Sequence, residues 1–242
     1  VTDKVVARIP LGGGAGNTKY DAGSGCILVA VQTLNQIVAI DPMSSRVVGR
    51  YAPDGADHPH GMYVDAPGRL LFVANQGNAT LEMVDLRTMR VTAVVPVGED
   101  PDVLAFDPEW RRLYVATESG GLWVYRVRER DLVVEGVVHL PHAHTVSVDS
   151  STHLVYLPLQ NATVNSPEAA LPLCLIHLAG RQGSGKLKPT GYVVAAQDSP
   201  SMGHSHGRSY TPAARAGRGS RGTSSALELR RRRHQSQPRG QQ

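Results

Sequence analysis

The chain has 242 residues, 41% of them hydrophobic, and its 25 glycines and 16 prolines favour an all-β class with many turns over long helices. Charge is uneven: residues 1–160 carry 13 Lys+Arg against 18 Asp+Glu, and residues 161–242 carry 12 against 3, which gives −5 and +9. The acidic first part argues against nucleic acid as its partner, because phosphate binding needs a surface of lysine and arginine.

Targeting signals and cysteine frameworks are not visible in the chain. No apolar stretch approaches the roughly 18 residues of a membrane span, and no signal peptide opens the chain, which begins at Val1. Cys26 and Cys174 are too few and too far apart for a zinc site or a disulfide framework.

An internal repeat organises the first part of the chain. Residues 5–11 have the pattern of an outer strand, and four aspartates follow at intervals of 44, 42 and 42 residues: Asp21, Asp65, Asp107 and Asp149. Each aspartate precedes a turn and an apolar triplet, at residues 27–29, 71–73, 113–115 and 155–157. A third β-rich run follows at 36–41, 80–85 and 121–127, and a fourth at 46–51, 90–97 and 132–140.

Four short β-rich runs in each period of about 42 residues are typical of a β-propeller blade. A β-sandwich also has short strands at regular spacing, but its sequence does not repeat at this interval. A helical solenoid would need apolar residues at a 3.6-residue spacing over longer runs. The sequence therefore predicts consecutive four-stranded antiparallel blades.

The repeat resembles that of the YVTN family of bacterial and archaeal propellers over about residues 5–160. The resemblance lies in residues 60–65 and 71–75, the Asn-containing loop 77–80, and Leu113-Tyr114-Val115-Ala116-Thr117 in the following repeat. It implies a seven-bladed ring, of which this chain would supply about four blades. It also favours an extracytoplasmic location, and it includes relatives that bind DNA.

After Gln160 the repeat becomes irregular. Residues 171–179 and 191–196 are predicted as the third and fourth strands of the last blade, so that the propeller part spans residues 1–196. Residues 197–242 form a basic segment rich in Gly, Ser and Arg, with too few apolar residues to offset the entropy of ordering. We expect either a disordered extension or a segment that binds nucleic acid or directs localisation.

A polar pair recurs seven and five residues before three of the repeat aspartates. Its members are His58 and His60, Asp100 and Asp102, and His142 and His144. In an extended segment both members would lie on one face, and the pairs of neighbouring blades would converge at the mouth of the central channel. Imidazoles and carboxylates are ligands of divalent transition metals, so the six residues form a candidate metal site. A polar, hydrated lining of the channel is the alternative.

The first blade has Gly14 and Gly16 at these two positions, which either leave room for a ligand or form a turn. Three function classes are compatible with the sequence: a non-catalytic propeller that binds a ligand or protein at its channel face, a metal-dependent enzyme or metal-binding protein, and a nucleic-acid-associated protein that acts through its tail. The first is favoured, since no catalytic arrangement can be recognised from spacing alone.

Overall fold

The computed structural model describes residues 5–140 and 144–158 in full and, as backbone only, the strands at 170–177 and 192–197. Four antiparallel four-stranded sheets follow one another along the chain. Blade 1 comprises β1 (Ala15–Asp21), β2 (Cys26–Val31), β3 (Gln36–Asp41) and β4 (Arg46–Tyr51). Blade 2 comprises β5 (Pro59–Asp65), β6 (Leu70–Asn75), β7 (Thr80–Asp85) and β8 (Arg90–Pro96). Blade 3 comprises β9 (Pro101–Asp107), β10 (Arg112–Thr117), β11 (Gly121–Val127) and β12 (Leu132–His139). Blade 4 comprises β13 (Ser147–Asp149), β14 (Leu154–Pro158), β15 (Ala170–His177) and β16 (Tyr192–Gln197).

The first strands of the four sheets lie next to one another. Within each sheet the strands pair in sequence order, while β5 contacts both β1 and β9, and β9 contacts β13. The sheets are thus arranged radially with their first strands innermost, which is the arrangement of propeller blades. This confirms the predicted fold class. In the part of the chain that the structure describes, no helix is both long and apolar enough to cross a membrane.

Each repeat aspartate is the last residue of the first strand of its blade, as the repeat predicts. The aspartate carboxylates also hold the turns that follow them. Asp21 Oδ1 accepts a hydrogen bond from the Gly23 amide at 2.9 Å, and Asp107 Oδ1 accepts from the amides of Glu109 and Trp110 at 3.1 Å. Such local bonds are the reason that aspartate favours the start of a turn.

The same aspartates join each blade to the next. Arg69 Nη1 of blade 2 donates to Asp21 Oδ1 of blade 1 at 2.8 Å, and Arg111 Nη1 of blade 3 donates to Asp65 Oδ2 of blade 2 at 2.9 Å. At the third junction, His153 Nδ1 lies 2.7 Å from Asp107 Oδ2. We call these contacts the blade latches. The three aspartates are almost fully buried. The two arginines therefore neutralise carboxylates that could not otherwise remain charged at low cost, and His153 gives the third carboxylate a hydrogen-bond partner.

Apolar side chains fill the spaces between the blades. Between blades 2 and 3 the cluster includes Phe72, Leu81 and Phe106, and the Phe72 and Phe106 ring centroids are 5.5 Å apart. Related clusters fill the other two junctions. The apolar triplets of the repeat lie in β2, β6, β10 and β14. The first three of these strands are buried on both faces and so lack a strict polar alternation, whereas β14 is fully buried only at Val155 and Leu157.

Residues 5–11 are not a strand, contrary to the sequence prediction. Ile9 and Leu11 instead pack against the open face of blade 1, over Val29, Val31 and Val38 among others. A fourth strand needs a third strand beside it, and none is available to this segment among the described residues. The apolar pattern therefore indicated burial correctly, but not hydrogen-bonded pairing.

The last blade has its third and fourth strands where the repeat predicts them. The ladders join β14 to β15 and β15 to β16, close to the predicted runs 171–179 and 191–196. The basic tail that begins at residue 197 lies outside the described residues, apart from Gln197 itself at the end of β16.

The blade latches predict that removing a latch arginine lowers stability more than removing an exposed arginine does. Arg69→Ala leaves the Asp21 carboxylate, 1% exposed, without its cation, so we expect the free energy of unfolding to fall by about 2–3 kcal/mol. Arg87→Ala is the matched control, because the Arg87 side chain is 60% exposed and lies 3.7 Å from Asp85; we expect less than about 0.5 kcal/mol. Urea denaturation measures both, and equal losses would contradict the proposed role of the latch.

Glu82 predicts an unusual pH dependence. Burial, together with the charge of Asp54, raises the pKa of Glu82 to about 7, above the value near 4.5 of the unfolded chain. Between these values the folded protein holds a proton that the unfolded chain has lost, so this contribution to stability is present at low pH and is lost as the pH rises toward 7. Glu82→Gln is therefore expected to be more stable than the wild type at pH 8 in buffer with EDTA. Thermal unfolding at pH 5 and pH 8 measures the difference, and a difference that does not grow with pH would disprove the assignment.

Candidate functional site at the channel mouth

The polar pairs of the repeat lie where the chain enters each inner strand. His58 and Asp100 immediately precede Pro59 and Pro101, the first residues of β5 and β9. Both have a left-handed backbone with φ of 50°. Their carbonyl groups accept hydrogen bonds from the amides of residues 76 and 118, at 3.1 and 2.9 Å. In these two pairs the first member thus anchors the entry to the strand through its backbone.

The second members meet across the blades. His60 Nε2 lies 3.0 Å from Asp102 Oδ1, and His144 Nδ1 lies 3.1 Å from Asp102 Oδ2. The side chains of these three residues are 26%, 14% and 30% exposed, so the group is partly desolvated yet reachable from solvent. One carboxylate from blade 3 is held between imidazoles from blades 2 and 4.

Glutamine and glutamate side chains extend this group, although the sequence analysis did not identify them. Gln32 Nε2 lies 2.7 Å from His60 Nδ1 and 3.1 Å from Gln76 Oε1. Glu118 occupies the same position in blade 3, since these residues directly follow β2, β6 and β10. Their spacing of 44 and 42 residues equals that of the repeat aspartates. Counting the repeat from the second strand as well as the first would have found them.

The contacts of His60 indicate which of its two ring nitrogens carries the hydrogen. When Gln32 Nε2 donates to His60 Nδ1, that nitrogen is an acceptor, and Nε2 carries the hydrogen that is donated to Asp102. The hydrogen bond from His60 is the main cause that lowers the pKa of Asp102, with a further contribution from His144, while burial opposes both. Asp102 is therefore a stable carboxylate at neutral pH rather than a group that gives up a proton.

The structure describes five of the six predicted residues and brings three of them together. His60, Asp102 and His144 form the group above. His58 does not join it, because its Nδ1 lies 2.7 Å from Asp57 and its side chain is 58% exposed. Asp100 contributes its carbonyl group to the turn, and His142 lies outside the described residues.

The first blade is packed closely against the group. A Cβ at Gly16 would lie 3.2 Å from both the Cα and Nδ1 atoms of His60, and the carbonyl of Gly14 accepts a hydrogen bond from the Gln32 amide at 2.9 Å. In the same way, a Cβ at Gly61 would overlap the carbonyl oxygen of Asp102. Gly16 and Gly61 thus permit neighbouring inner strands to approach, and Gly16 does not leave an open space.

We call the group Gln32, His60, Gln76, Asp102, Glu118 and His144 the mouth cluster. Its edge combines the exposed Glu118 with Asp102 and His144, and one ligand atom from each of these three lies within 4.8 Å of the others. The cluster therefore presents negative charge together with amide and imidazole groups at one end of the inner strands.

No family model matches the chain, and no curated protein matches it. Among solved structures, Kuenenia stuttgartiensis hydrazine synthase aligns with a TM-score of 0.59 and 16% identity, over 81% of this chain and 53% of its own. The β-propeller domain of Myceliophteria thermophila Cps50 (Swd1) aligns with a TM-score of 0.55 and 13% identity, over 74% of this chain and 59% of its own. The chain thus spans little more than half the length of these structures. At these identities the likeness shows the propeller fold alone, and the YVTN resemblance stays a prediction.

The contacts of the mouth cluster predict which histidine is the main cause of the lowered pKa of Asp102. His60→Ala removes the main cause of the lowered pKa, so the Asp102 pKa is expected to rise toward its ordinary value near 3.8 or above it, since burial then meets less opposition. His58→Ala is the control, because His58 contacts Asp57 instead. Carboxyl-carbon NMR titration measures the shift in each variant. A similar change in both variants would mean that the described contacts are not its cause.

Proposed function

We propose that this chain is a non-catalytic binding propeller of the YVTN type whose mouth cluster recognises a cationic group of a peptide or small ligand. The observation that carries the proposal is the convergence of side chains from successive blades at one repeat position, around the carboxylates of Asp102 and Glu118. Fold alone would not name a ligand, so the ligand class is argued from the chemistry of the cluster.

Binding accounts for the cluster better than catalysis does. Both ring nitrogens of His60 are engaged, by Gln32 and by Asp102, which leaves that imidazole no free nitrogen to accept a proton from a substrate. Asp102 has a lowered pKa, whereas a general base works best with a pKa near the working pH. A carboxylate held in this way suits the recognition of an ammonium or guanidinium group.

The exposed Glu118 supplies the second carboxylate. It is exposed at the edge of the cluster, where a ligand can reach it without displacing other contacts. Asp102 is deeper and already accepts two hydrogen bonds. A cation would therefore contact Glu118 first, and the negative charge of Asp102 would attract it at longer range. Such electrostatic complementarity mainly determines the specificity of binding and the rate of association.

The experiment compares three short peptides, acetyl-Gly-Arg-Gly, acetyl-Gly-Lys-Gly and acetyl-Gly-Glu-Gly amides, by NMR titration. We expect the basic peptides to shift resonances of the mouth cluster and the acidic peptide to leave them unchanged. Glu118→Gln should weaken binding about tenfold, which corresponds to one charged contact. Glu129→Gln, an exposed carboxylate outside the cluster, is the matched control. Shifts that are equal for all three peptides, or binding unchanged by Glu118→Gln, would disprove the proposal.

A divalent transition metal is the second candidate ligand, favoured by the grouping of Asp102, Glu118 and His144 within 4.8 Å. Two carboxylates and one imidazole are a suitable ligand set, although His144 would have to give up its bond to Asp102. Calorimetry with zinc, copper and manganese tests this candidate. His144→Ala and Glu118→Gln should each abolish binding, whereas His60→Ala should weaken it less, because His60 lies outside the group of three. No heat of binding to the folded wild type, or binding that survives His144→Ala, would leave only a polar channel mouth.

A further inference from the structure

Blade 2 carries a polar pair at positions where its neighbours differ. Asn75 ends β6, and Glu82 lies in β7 opposite Val73. By the same ladder registers, blade 1 has Val31 and Val38 at these positions, and blade 3 has Thr117 and Trp123. Asn75, Val73 and Leu71 share one face of β6, which is the face turned toward blade 1. The pair thus lies at the junction of blades 1 and 2, and it is not part of the repeat.

Both side chains of the pair are completely buried, at 0% exposure. Three of their atoms, Glu82 Oε1, Glu82 Oε2 and Asn75 Oδ1, have no hydrogen-bond partner within the part of the chain that the structure describes. Buried polar atoms are nearly always satisfied by protein, water or an ion. A buried carboxylate with no partner is costly, so these atoms indicate something further at this place.

A chain of hydrogen bonds fixes which way Asn75 points. Asn78 Nδ2 donates to the carbonyl oxygen of Gly55 at 2.9 Å, so Asn78 Oδ1 is left as an acceptor. The Thr80 hydroxyl donates to this oxygen at 2.7 Å, and it therefore accepts from Asn75 Nδ2 at 3.1 Å. The amide of Asn75 cannot be reversed without breaking this chain. Its oxygen is therefore the free atom, and all three unpartnered atoms are acceptors.

The segment between blades 1 and 2 covers the pair. Gly55 has a φ of 94°, and a Cβ built on it would lie 3.5 Å from Glu82 Oε1. Asp54 and Gly55 are exposed, so the site lies directly beneath a surface turn. Burial is the main cause that raises the pKa of Glu82, and the negative charge of the nearby Asp54 adds to it.

The other ionisable groups of this region are accounted for. Asp57, in the same covering segment, pairs with His58 at 2.7 Å. Tyr51, at the end of β4, packs at the margin of the apolar cluster between the two blades. Neither supplies a positive charge that could balance Glu82 and Asp54. Three acceptor oxygens of Glu82 and Asn75 thus lie buried beside Gly55, and Asp54, the residue before Gly55, supplies a second carboxylate in the covering turn.

We propose that Glu82, Asn75 and Asp54 form a binding site for a calcium-class divalent cation at the junction of blades 1 and 2. Hard divalent cations prefer carboxylate and amide oxygens, whereas zinc and copper favour nitrogen and sulfur. Calcium also tolerates irregular geometry better than magnesium does. Two carboxylates balance its charge, and the turn at Asp54 and Gly55 gives it a route from solvent.

Such a cation would fasten the segment between blades 1 and 2 to the strands beneath it. The same segment leads into His58 and then His60 of the mouth cluster. Occupancy would therefore stabilise the entry to β5. The site does not depend on the proposed function, because none of its three residues belongs to the mouth cluster.

The test is thermal unfolding of the full chain at pH 8 in three buffers, which contain EDTA, 5 mM magnesium or 5 mM calcium. We expect calcium to raise the wild-type Tm by about 5 °C, since a ligand that binds only the folded state stabilises it by RT ln(1 + [L]/Kd). Magnesium should raise it less. Glu82→Gln should remove the calcium effect, and Asp54→Asn, at an exposed position that folding tolerates, should require several-fold more calcium for the same shift.

Glu118→Gln serves as the control that separates this site from the mouth cluster, and it should keep the full calcium shift. A wild-type Tm that calcium leaves unchanged would overturn the proposal and indicate that water or a proton satisfies the three oxygens. A calcium shift of equal size in Glu82→Gln would also overturn it. Loss of the shift in Glu118→Gln alone would assign the ion to the channel mouth instead.

Discussion

The aspartate at the end of each inner strand is the constraint on which the rest of the structure depends. In blades 1 to 3 this aspartate closes the turn of its own blade and accepts a hydrogen bond from a side chain of the next blade, so one buried carboxylate fixes both the local geometry and the position of a neighbour. Arg69 and Arg111 perform the second task at two junctions and His153 at the third. Each of the three has a left-handed backbone, which makes the tight hairpin at that point aim its side chain back at the preceding blade.

Because the latches set the blades in phase, equivalent residues at the opposite end of the inner strands also meet. His60, Asp102 and His144 each precede their repeat aspartate by five residues. An equal number of residues therefore separates each of the three from its aspartate; His60 and Asp102 lie in β5 and β9, and His144 lies in the segment that enters β13. Gln32, Gln76 and Glu118 arrive at the same end for the same reason from the second strands. The mouth cluster is thus a consequence of the repeat phase, and its hydrogen bonds join blades that the latches have already aligned.

The sequence predicted the strands closely because turn residues and apolar triplets recur together; the predicted run 80–85 coincides with β7. It failed at residues 5–11, where apolar spacing signals burial but cannot say whether a partner strand is present. It also failed to separate the two members of each polar pair. The expectation that both lie on one face holds only for an extended backbone, and the positive φ of His58 and Asp100 breaks that condition. A spacing argument contains no information on that dihedral angle.

The mouth cluster and the Glu82 pair differ in a way that bears on function. In the mouth cluster, polar groups at repeat positions find partners in the neighbouring blades, so their burial costs little. Glu82 and Asn75 stand outside the repeat and leave three acceptors unpartnered among the described residues. Blade 1 has the buried, apolar Val38 at the corresponding position, so the fold accommodates a side chain there whose burial costs less free energy. The fold itself therefore does not require a carboxylate at this junction, and the proposed cation beneath the turn at Asp54 would give this carboxylate a partner.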